Sequence, residues 1–411
     1  MRTAIVGGGA AGFFLAINLK EMCPQMDITI FEKSKKVLAK VEVSGGGRCN
    51  CTNSFDAVTD LSQVYPRGHR LLKRLFKTFD YQDAYQWFES HGVRLTTQDD
   101  NCVFPMSQDS HTIINMFLAE ARRHHIEILT QHKIESLDEL SDYDFKVITT
   151  GGMRDHGDRS LIEGKALIKR PVPMISPTIS PVPSLFTFSI ADEALRALMG
   201  TVVEDATASI PGTKFRSSGP LLITHWGMSG PAILKLSSYA ARDLHEHNYQ
   251  MPLAVNWTSL KEPDIQQELR SIIVQHPQKQ IATIRPFGLP SRLWDYLVAK
   301  TLGERAQNRW QNLNQKELNR LTNALCNDQY QIAGRSAFKD EFVTCGGIDL
   351  ASVNPNTLES KNLPNVYFAG EVLDIDGITG GFNFQAAWTT AYTVACAISQ
   401  QARCSQSPSE G

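Results

Sequence analysis

A glycine-rich turn near the N-terminus constrains the fold of this chain more than any other feature. Residues 3–6 form a short apolar run that is typical of a buried strand, and Gly7, Gly9 and Gly12 follow in the spacing Gly-x-Gly-x-x-Gly. An apolar helix is predicted over residues 13–22. A strand, this turn and a helix together predict the first half of a dinucleotide-binding domain. In such a domain the glycines make the turn, admit the pyrophosphate and let the helix pack on the strand.

An acidic residue completes this pattern at the distance that a dinucleotide requires. Residues 27–32 alternate like a second strand and end on Glu32, about twenty residues beyond Gly12. A carboxylate at this point accepts the ribose 2′-hydroxyl and repels a 2′-phosphate, which disfavours NADP. Ala10 and Ala11 begin the helix, whose N-terminus offers free N–H groups and a partial positive charge to phosphates. The alternative interpretation is a glycine-rich turn without a ligand.

Length and composition limit the class of protein. A chain of 411 residues is too long to fold around a single hydrophobic core, and two or three domains are expected. The net charge of −2 provides no global attraction for nucleic acid or a membrane surface. The eight cysteines lack the spacing of a disulfide framework or a zinc site, and no apolar run reaches the ~18 residues of a membrane span. We therefore expect a cytoplasmic protein with reduced thiols, no metal, no nucleic-acid partner and no membrane segment.

A second glycine-rich loop follows the first two strands. Residues 44–53 read SGGGRCNCTN, and a basic segment that contains Lys33 and Lys40 precedes them. Consecutive glycines followed by arginine and asparagine favour a loop that brings backbone N–H groups and a fixed cation against an anion. A second contact to the same dinucleotide is one interpretation, and an exposed flexible loop is the other. Cys49 and Cys51 are explained equally well by contact with a cofactor or by a need for small side chains.

The periodicity of the sequence predicts an interrupted domain. Residues 1–182 alternate strands and helices as a parallel α/β sheet does, and five prolines over 171–183 predict a rigid linker. Short strands predict a β-rich inserted domain over 183–260, and apolar residues at helical spacing predict a helical subdomain over 261–335. The α/β pattern returns over 336–411. We therefore predict a discontinuous first domain.

The final segment repeats the anion-binding arrangement of the first. A buried strand ends on Gly370 and Glu371. The run DIDGITGGFNFQ, residues 374–385, then leads through a glycine pair into a helix of small residues. A glycine pair before a helix N-terminus predicts a second place where backbone N–H groups meet an anion.

These motifs together resemble the FAD-binding domain of glutathione-reductase-type flavoproteins. Within that group the chain is similar to the YhiN-like bacterial FAD-dependent oxidoreductase family, whose relatives include aminoacetone-oxidase-like and bile-acid-dehydro-reductase-like enzymes. The most specific match is the run AGEVLD with GGFNFQ behind it. The resemblance implies an α/β fold in which a Rossmann-type FAD-binding domain is interrupted by a β-rich domain and a helical subdomain, with FAD bound extended across the first domain.

The resemblance also implies a role for each part of the FAD site. The first glycine turn would face the pyrophosphate, Glu32 with Lys33 the adenosine ribose, and the backbone of Ile134 the adenine. The second loop would line the middle of FAD, Glu371 and Asp376 would hold ribityl or phosphate groups, and the last glycine pair would face the pyrimidine edge of the flavin. The implied cofactor-binding residues are Gly7, Gly9, Ala10, Ala11, Gly12, Glu32, Lys33, Lys40, Gly46, Gly47, Arg48, Cys49, Asn50, Ile134, Thr150, Gly151, Gly370, Glu371, Asp376, Gly381, Phe382 and Asn383.

The function that follows is an FAD-dependent oxidoreductase that transfers a hydride between flavin N5 and an unidentified small molecule. No second Gly-x-Gly-x-x-Gly follows a later strand, which leaves either an oxidase that uses O₂ or an enzyme that binds NADH or NADPH transiently. The alternative function is a flavin-holding binding or redox-sensor protein in which FAD is structural. No catalytic acid or base is assigned. His225 is a candidate, and a structural hydrogen bond is its other interpretation.

Overall fold

The structure, a computed structural model, describes residues 1–152, 178–335 and 343–406. Its strands, in chain order, are β1 Arg2–Val6, β2 Asp27–Phe31, β3 Thr52–Asn53, β4 Leu95–Thr97, β5 Cys102–Pro105, β6 Glu127–Leu129, β7 Phe145–Ile148, β8 Thr178–Ser184, β9 Phe188–Ile190, β10 Val202–Ser209, β11 Arg216–Ile223, β12 Gly227–Ser229, β13 Pro252–Asn256, β14 Asp328–Arg335, β15 Val343–Ile348 and β16 Val366–Phe368. Its α-helices are α1 Ala10–Met22, α2 Ala39–Val43, α3 His69–Leu75, α4 Tyr81–Ser90, α5 Ser110–Arg123, α6 Glu193–Arg196, α7 Pro231–Tyr239, α8 Ala241–Glu246, α9 Glu262–Gln275, α10 Ser291–Leu302, α11 Gln315–Cys326 and α12 Phe382–Gln406.

Two compact units divide the chain, one formed by residues 1–182 with 343–411 and the other by residues 183–342. In the first unit five parallel strands form a sheet in the order β16-β7-β1-β2-β6. From β1 the chain moves outward to β2 and β6, then returns to the other side of β1 with β7 and β16. Open α/β sheets bind their ligands at the carboxyl ends of the strands where the strand order reverses. In this sheet that point lies between β1 and β7.

Aromatic side chains hold α1 in its place on the sheet. The ring centroid of Phe14 lies 4.4 Å from that of Trp87, 5.1 Å from that of Trp388 and 5.5 Å from that of Phe79. Each such pair contributes about 0.5–1.5 kcal/mol beyond its buried area. The partners come from α4, α12 and the turn between α3 and α4, so α1 is fixed on three sides and its N-terminus is held at the carboxyl edge of the sheet.

An ion pair between α1 and the end of α4 makes the stability of this unit depend on pH. His91 Nε2 lies 3.1 Å from Glu21 Oε1, and His91 Nδ1 lies 2.7 Å from the carbonyl oxygen of Trp87. Burial lowers the pKa of His91, but hydrogen bonds to Glu21 and Trp87 outweigh it and the net pKa is raised above 6.5. A raised histidine pKa stabilises the fold below pH 6.5 and this contribution is lost as the pH rises through the raised pKa.

We expect the free energy of unfolding to fall as the pH rises from below 6.5 to above the pKa of His91. The fall should be less than about 1 kcal/mol, because Glu21 is partly exposed. Urea unfolding on both sides of this pH measures it, and the variant His91→Gln should show a flatter dependence. Equal pH dependence in the wild type and the variant would contradict this assignment.

In the second unit the strands form a closed barrel in the order β10-β11-β12-β9-β14-β13. Helices α7, α9, α10 and α11 share its apolar core, which includes the fully buried Trp257, Trp294 and Trp310. The helices predicted after residue 261 are present, but Asp328–Arg335 forms the strand β14 and not part of a helical subdomain. Tyr330 and Ile332 are buried on alternate positions of this strand, because its inner face completes the barrel.

Part of the predicted linker is also a strand. Residues 171–177 lie outside the described residues, whereas Thr178–Ser184 forms β8 and pairs with β15 in a two-stranded sheet. The predicted rigid linker therefore includes residues of a paired strand. Pro181 and Pro183 are compatible with this strand because an edge position does not require every backbone N–H group to donate. Within the described part of the chain, no helix combines the length and apolarity needed to cross a bilayer.

Candidate cofactor site

The turn after β1 is built by close backbone contacts that only glycine allows. A Cβ placed on Gly7, whose φ is 122°, would lie 2.4 Å from the carbonyl oxygen of Thr149. A Cβ on Gly12 would lie 2.1 Å from the carbonyl oxygen of Gly7. Thr149 Oγ1 donates to that same carbonyl at 2.9 Å. These contacts bring α1 against the ends of β1 and β7, as the glycine spacing predicts.

Gly9 has a different role, because it has no steric conflict with the protein. Its φ of −94° suits any residue, and a Cβ placed on it would meet no protein atom within 4 Å. Gly9 is the N-cap of α1 and provides no side chain to cap it. The first N–H groups, those of Ala10, Ala11 and Gly12, therefore remain suited to an anion. Room for a ligand and uncapped donors at one place fit the pyrophosphate of a dinucleotide.

Glu32 lies beside this turn at the end of β2. Its Oε2 accepts the N–H of Gly8 at 2.9 Å, and its Oε1 accepts the N–H and the hydroxyl of Ser34, each at 2.8 Å. Lys33 next to it is exposed. The N–H of His132 donates to the carbonyl oxygen of Glu32 at 2.9 Å, which brings the segment that ends at the buried Ile134 alongside. The adenosine-side residues predicted from sequence are therefore neighbours.

Glu371, a partly buried carboxylate, lies beside two further predicted residues, Lys40 and Gly151. Glu371 follows β16, and its Oε2 lies 2.6 Å from the Nζ of Lys40 in α2. Its Oε1 accepts the N–H of Thr344 at 3.0 Å. Burial raises the pKa of Glu371, but Lys40 and the N–H donors outweigh it and hold the pKa below its usual range. Gly151, which follows the exposed Thr150, adjoins this pair, since a Cβ there would lie 3.8 Å from Glu371 Oε2.

The end of β16 also touches the start of α1. Gly370 has a φ of 79°, and a Cβ placed on it would lie 2.9 Å from the Cβ of Ala11. Its N–H donates to Thr390 Oγ1 of α12 at 2.9 Å. Gly370 thus joins β16, α1 and α12, and places Glu371 at the carboxyl edge of the sheet next to the glycine turn.

The second loop and the last glycine pair are joined directly. With its amide oriented to satisfy both ends, Asn50 Nδ2 donates to the carbonyl oxygen of Thr52 at 2.8 Å and Asn50 Oδ1 accepts the N–H of Gly381 at 3.1 Å. A Cβ placed on Gly381 would lie 2.2 Å from the carbonyl oxygen of Thr52. Trp388 of α12 donates to the carbonyl oxygen of Cys51 at 2.8 Å. These bonds hold the N-terminus of α12 against the loop.

Other residues of the second loop divide into open and buried positions. A Cβ on Gly46 or Gly47 would meet no atom within 4 Å, so both leave room on the exposed side. Arg48 lies over the ring of Phe104, 4.1 Å from its centroid, and its Nε donates to the carbonyl oxygen of Gly45 at 3.1 Å. The guanidinium thus stacks on the protein surface and is positioned by it.

The two cysteines of this loop are buried thiols. The Sγ atoms of Cys49 and Cys51 are 3.9 Å apart, and both side chains are fully buried. Burial, reinforced by the hydrogen bond to Cys49, raises the pKa of Cys51 well above its usual value. Since neither side chain reaches the surface, the structure favours the interpretation that small side chains are needed here.

Arg67 is a part of the site that the sequence did not reveal. It forms a bidentate ion pair with Asp376, in which Arg67 Nε lies 2.5 Å from Asp376 Oδ1 and Arg67 Nη2 contacts Asp376 Oδ2. The side chain of Asp376 is completely buried. A Cβ placed on Gly68 would lie 2.6 Å from the Cγ1 of Ile375. The turn before α3 therefore packs on the loop that follows β16, and only the folded chain shows this contact.

The start of α12 is held by two further residues of the predicted set. The carbonyl oxygen of Phe382 accepts the hydroxyl of Tyr65 at 2.8 Å. Asn383 Oδ1 accepts the N–H of Gly377 at 2.8 Å, and its Nδ2 donates to the carbonyl oxygen of Gly377 at 2.9 Å. The carbonyl of Phe382 and the side chain of Asn383 thus hold the loop before the helix, and the predicted contact with a flavin would come from the backbone N–H groups of these two residues.

The predicted residues converge along one edge of the parallel sheet. The glycine turn follows β1, Glu32 follows β2, Gly151 follows β7 and Glu371 follows β16. Uncapped helix N–H groups, glycines with room beside them and a carboxylate at the ribose position fit a dinucleotide. His225 belongs to the second unit, in an exposed turn between β11 and β12, where its ring centroid lies 4.8 Å from that of Trp226.

Comparison with known proteins decides the family. The sequence profile of the family described as HI0933-like protein Rossmann domain matches residues 1–397. The chain belongs to this HI0933-like family. The resemblance found from the sequence is thereby confirmed, as is the Rossmann-type domain combined with a β-barrel and a helical region. FAD is the cofactor that membership of this family supports.

Curated relatives of this HI0933-like chain match it over nearly their whole length. It is 27% identical to the ribosomal RNA dihydrouridine synthase of Haemophilus influenzae, over 97% of this chain and 98% of the relative. It is also 27% identical to the 3-dehydro-bile acid delta(4,6)-reductase of Clostridium scindens, over 97% of this chain and 99% of the relative. Among solved structures, the 3-ketosteroid delta1-dehydrogenase of Sterolibacterium denitrificans matches with a TM-score of 0.48 and 10% identity. The match covers 97% of this chain and 99% of that protein.

Proposed function

We propose that this chain is an FAD-dependent reductase of a carbon–carbon double bond that is conjugated with a carbonyl group. Two relatives of equal identity support this proposal through the chemistry that their names state. Forming dihydrouridine saturates the ring bond of uracil that is conjugated with a carbonyl. A delta(4,6)-reductase acting on a 3-dehydro bile acid saturates a bond conjugated with the 3-keto group. Both reactions add a hydride and a proton across a bond of the same electronic type.

The observation that carries the proposal is the attachment of the α12 N-terminus to the second loop. FAD, when bound, supplies hydride transfer at N5. Asn50 accepts the N–H of Gly381, and Tyr65 donates to the carbonyl of Phe382, so contacts within the protein itself fix the start of α12. A fixed helix N-terminus stabilises negative charge that develops on a neighbouring group at no cost in reorganisation. A flavin that accepts a hydride develops such a negative charge, so a fixed helix N-terminus beside it would favour the proposed hydride transfer.

The electron donor in this proposal is NADH or NADPH, which supplies the hydride for each turnover. The purified protein is expected to show a flavin absorption spectrum that bleaches within seconds when one of the two nucleotides is added without oxygen. Addition of a cyclic enone or of uridine-containing RNA should then restore the oxidised spectrum, and mass spectrometry should detect a product that has gained two hydrogen atoms.

Three outcomes would contradict this proposal. A protein that neither contains nor takes up FAD would remove its basis. Flavin that stays oxidised with both nucleotides would instead fit a binding or redox-sensor protein with structural FAD. Reduced flavin that returns its electrons to O₂ alone, with no saturated product from any acceptor, would indicate an oxidase.

A further inference from the structure

A row of basic side chains covers the outer face of α3 and the turn after it. Arg70, Lys73, Arg74 and Lys77 follow one another at the spacing of one helical face, and all four are exposed. We call these four residues the basic face. The opposite side of the helix carries Leu71, Leu72 and Leu75, which are buried. Because these leucines pack against the rest of the unit, the basic face of α3 points toward solvent.

Among the described residues, no carboxylate lies within ion-pair distance of the four side chains of the basic face. Positions 61–79 contain neither Asp nor Glu, and none of the four side chains takes part in an ion pair there. Asp60, which is exposed, lies just before this stretch. Lys73 lowers the pKa of Asp60, but less than the hydrogen bonds from Ser62 do. By contrast, Arg123 at the end of α5 is paired with Glu120. The net charge of −2 thus conceals a local excess of positive charge.

The basic face begins at the candidate cofactor site. Gly68, directly before α3, packs on Ile375, and Arg67 pairs with Asp376. Tyr65 donates to the carbonyl of Phe382 at the start of α12. The residues that join α3 to the rest of the unit are therefore those that surround the predicted flavin end of the site. A polyanion lying on the basic face would pass next to this end.

We propose that the basic face of α3 binds the phosphate backbone of a structured RNA, and that this RNA is the substrate of the reductase proposed above. From Arg70 to Lys77 the helical rise covers about 10 Å, enough for several phosphates and more than a single carboxylate requires. A membrane-binding helix would turn its apolar side outward, whereas α3 buries that side. The inference rests on the proposed function and selects RNA over a steroid-like acid as its substrate class.

Matched charge reversals test the proposal. Arg70→Glu with Arg74→Glu alters the basic face, and Arg122→Glu with Arg123→Glu alters two exposed arginines at the end of α5. That helix precedes β6, so its C-terminus lies at the amino edge of the sheet, opposite the site. The full-length FAD-loaded proteins are titrated with transcribed ribosomal RNA at several salt concentrations. FAD content and the rate of flavin bleaching by NADH or NADPH check that each variant is folded.

The basic-face variant is expected to lose about two units of the slope of log affinity against log salt, with at least about tenfold weaker binding. The α5 variant should bind RNA like the wild type. Equal RNA affinity and salt slope in both variants would overturn the proposal, and so would a wild type that binds phosphatidylserine vesicles but not RNA. Bleaching by a nicotinamide nucleotide and saturation of a small enone are measured separately, so failure of RNA binding is distinguishable from failure of the proposed function.

Discussion

Replacing Gly9 by alanine is expected to weaken FAD binding by about five- to 150-fold, which corresponds to an overpacking cost of ~1–3 kcal/mol. A Cβ on Gly9 would meet no protein atom within 4 Å, but it would take up space beside the N-terminus of α1, where the pyrophosphate of FAD is expected to bind. The φ of −94° accepts alanine without strain. The free energy of unfolding of the FAD-free protein should therefore fall by less than about 1 kcal/mol.

Gly12→Ala provides the contrasting variant. Its Cβ would lie 2.1 Å from the carbonyl oxygen of Gly7, so the backbone of the turn must move and the FAD-free protein should lose stability as well. Titration of FAD by fluorescence quenching and urea unfolding without FAD separate the two effects. Wild-type FAD affinity in Gly9→Ala would show that no pyrophosphate lies at this turn.

Removing Arg67 is expected to lower the free energy of unfolding by about 3–5 kcal/mol, the usual cost of breaking a buried ion pair. In Arg67→Met the completely buried carboxylate of Asp376 loses its guanidinium. The loop between β16 and α12 would then be held to the turn before α3 by backbone contacts and by the packing of Gly68 on Ile375 alone. We therefore expect weaker FAD binding in the same variant.

Two further variants make this prediction specific. Arg67→Met combined with Asp376→Asn should recover a large part of the loss, because position 376 then carries no charge that needs the guanidinium. Lys36→Met, which breaks the exposed pair with Glu42, should leave the free energy of unfolding nearly unchanged, because solvent screens that pair. Urea unfolding measures all of them. An effect of Arg67→Met no larger than that of Lys36→Met would contradict the role of this pair.

The two substrate types named for the relatives differ most in charge. A bile acid carries one carboxylate on an apolar body, whereas ribosomal RNA carries a phosphate at every nucleotide. The basic face of α3 is suited to the second, and it was hidden in a sequence whose total charge is close to neutral. The initial expectation of no nucleic-acid partner rested on that total, and it remains a prediction that RNA titration tests.

The sequence by itself determined the parts of this protein that depend on neighbours along the chain. The spacing of Gly7, Gly9 and Gly12 and the position of Glu32 lie within 32 residues, so strand, turn, helix and acid are placed by local backbone geometry. The same reasoning predicted the parallel sheet and the glycine pair before α12. Family resemblance then extended these local motifs to FAD.

Only the tertiary structure decided which distant segments meet. Arg67 and Asp376 are 309 positions apart, and Lys40 and Glu371 are 331 apart. The strands β8 and β14 are strands because β15 and the barrel pair with them, although prolines and neighbouring helical patterns suggested otherwise. Backbone pairing and the burial of a charge depend on what the rest of the chain brings alongside, and local spacing carries no information about that partner.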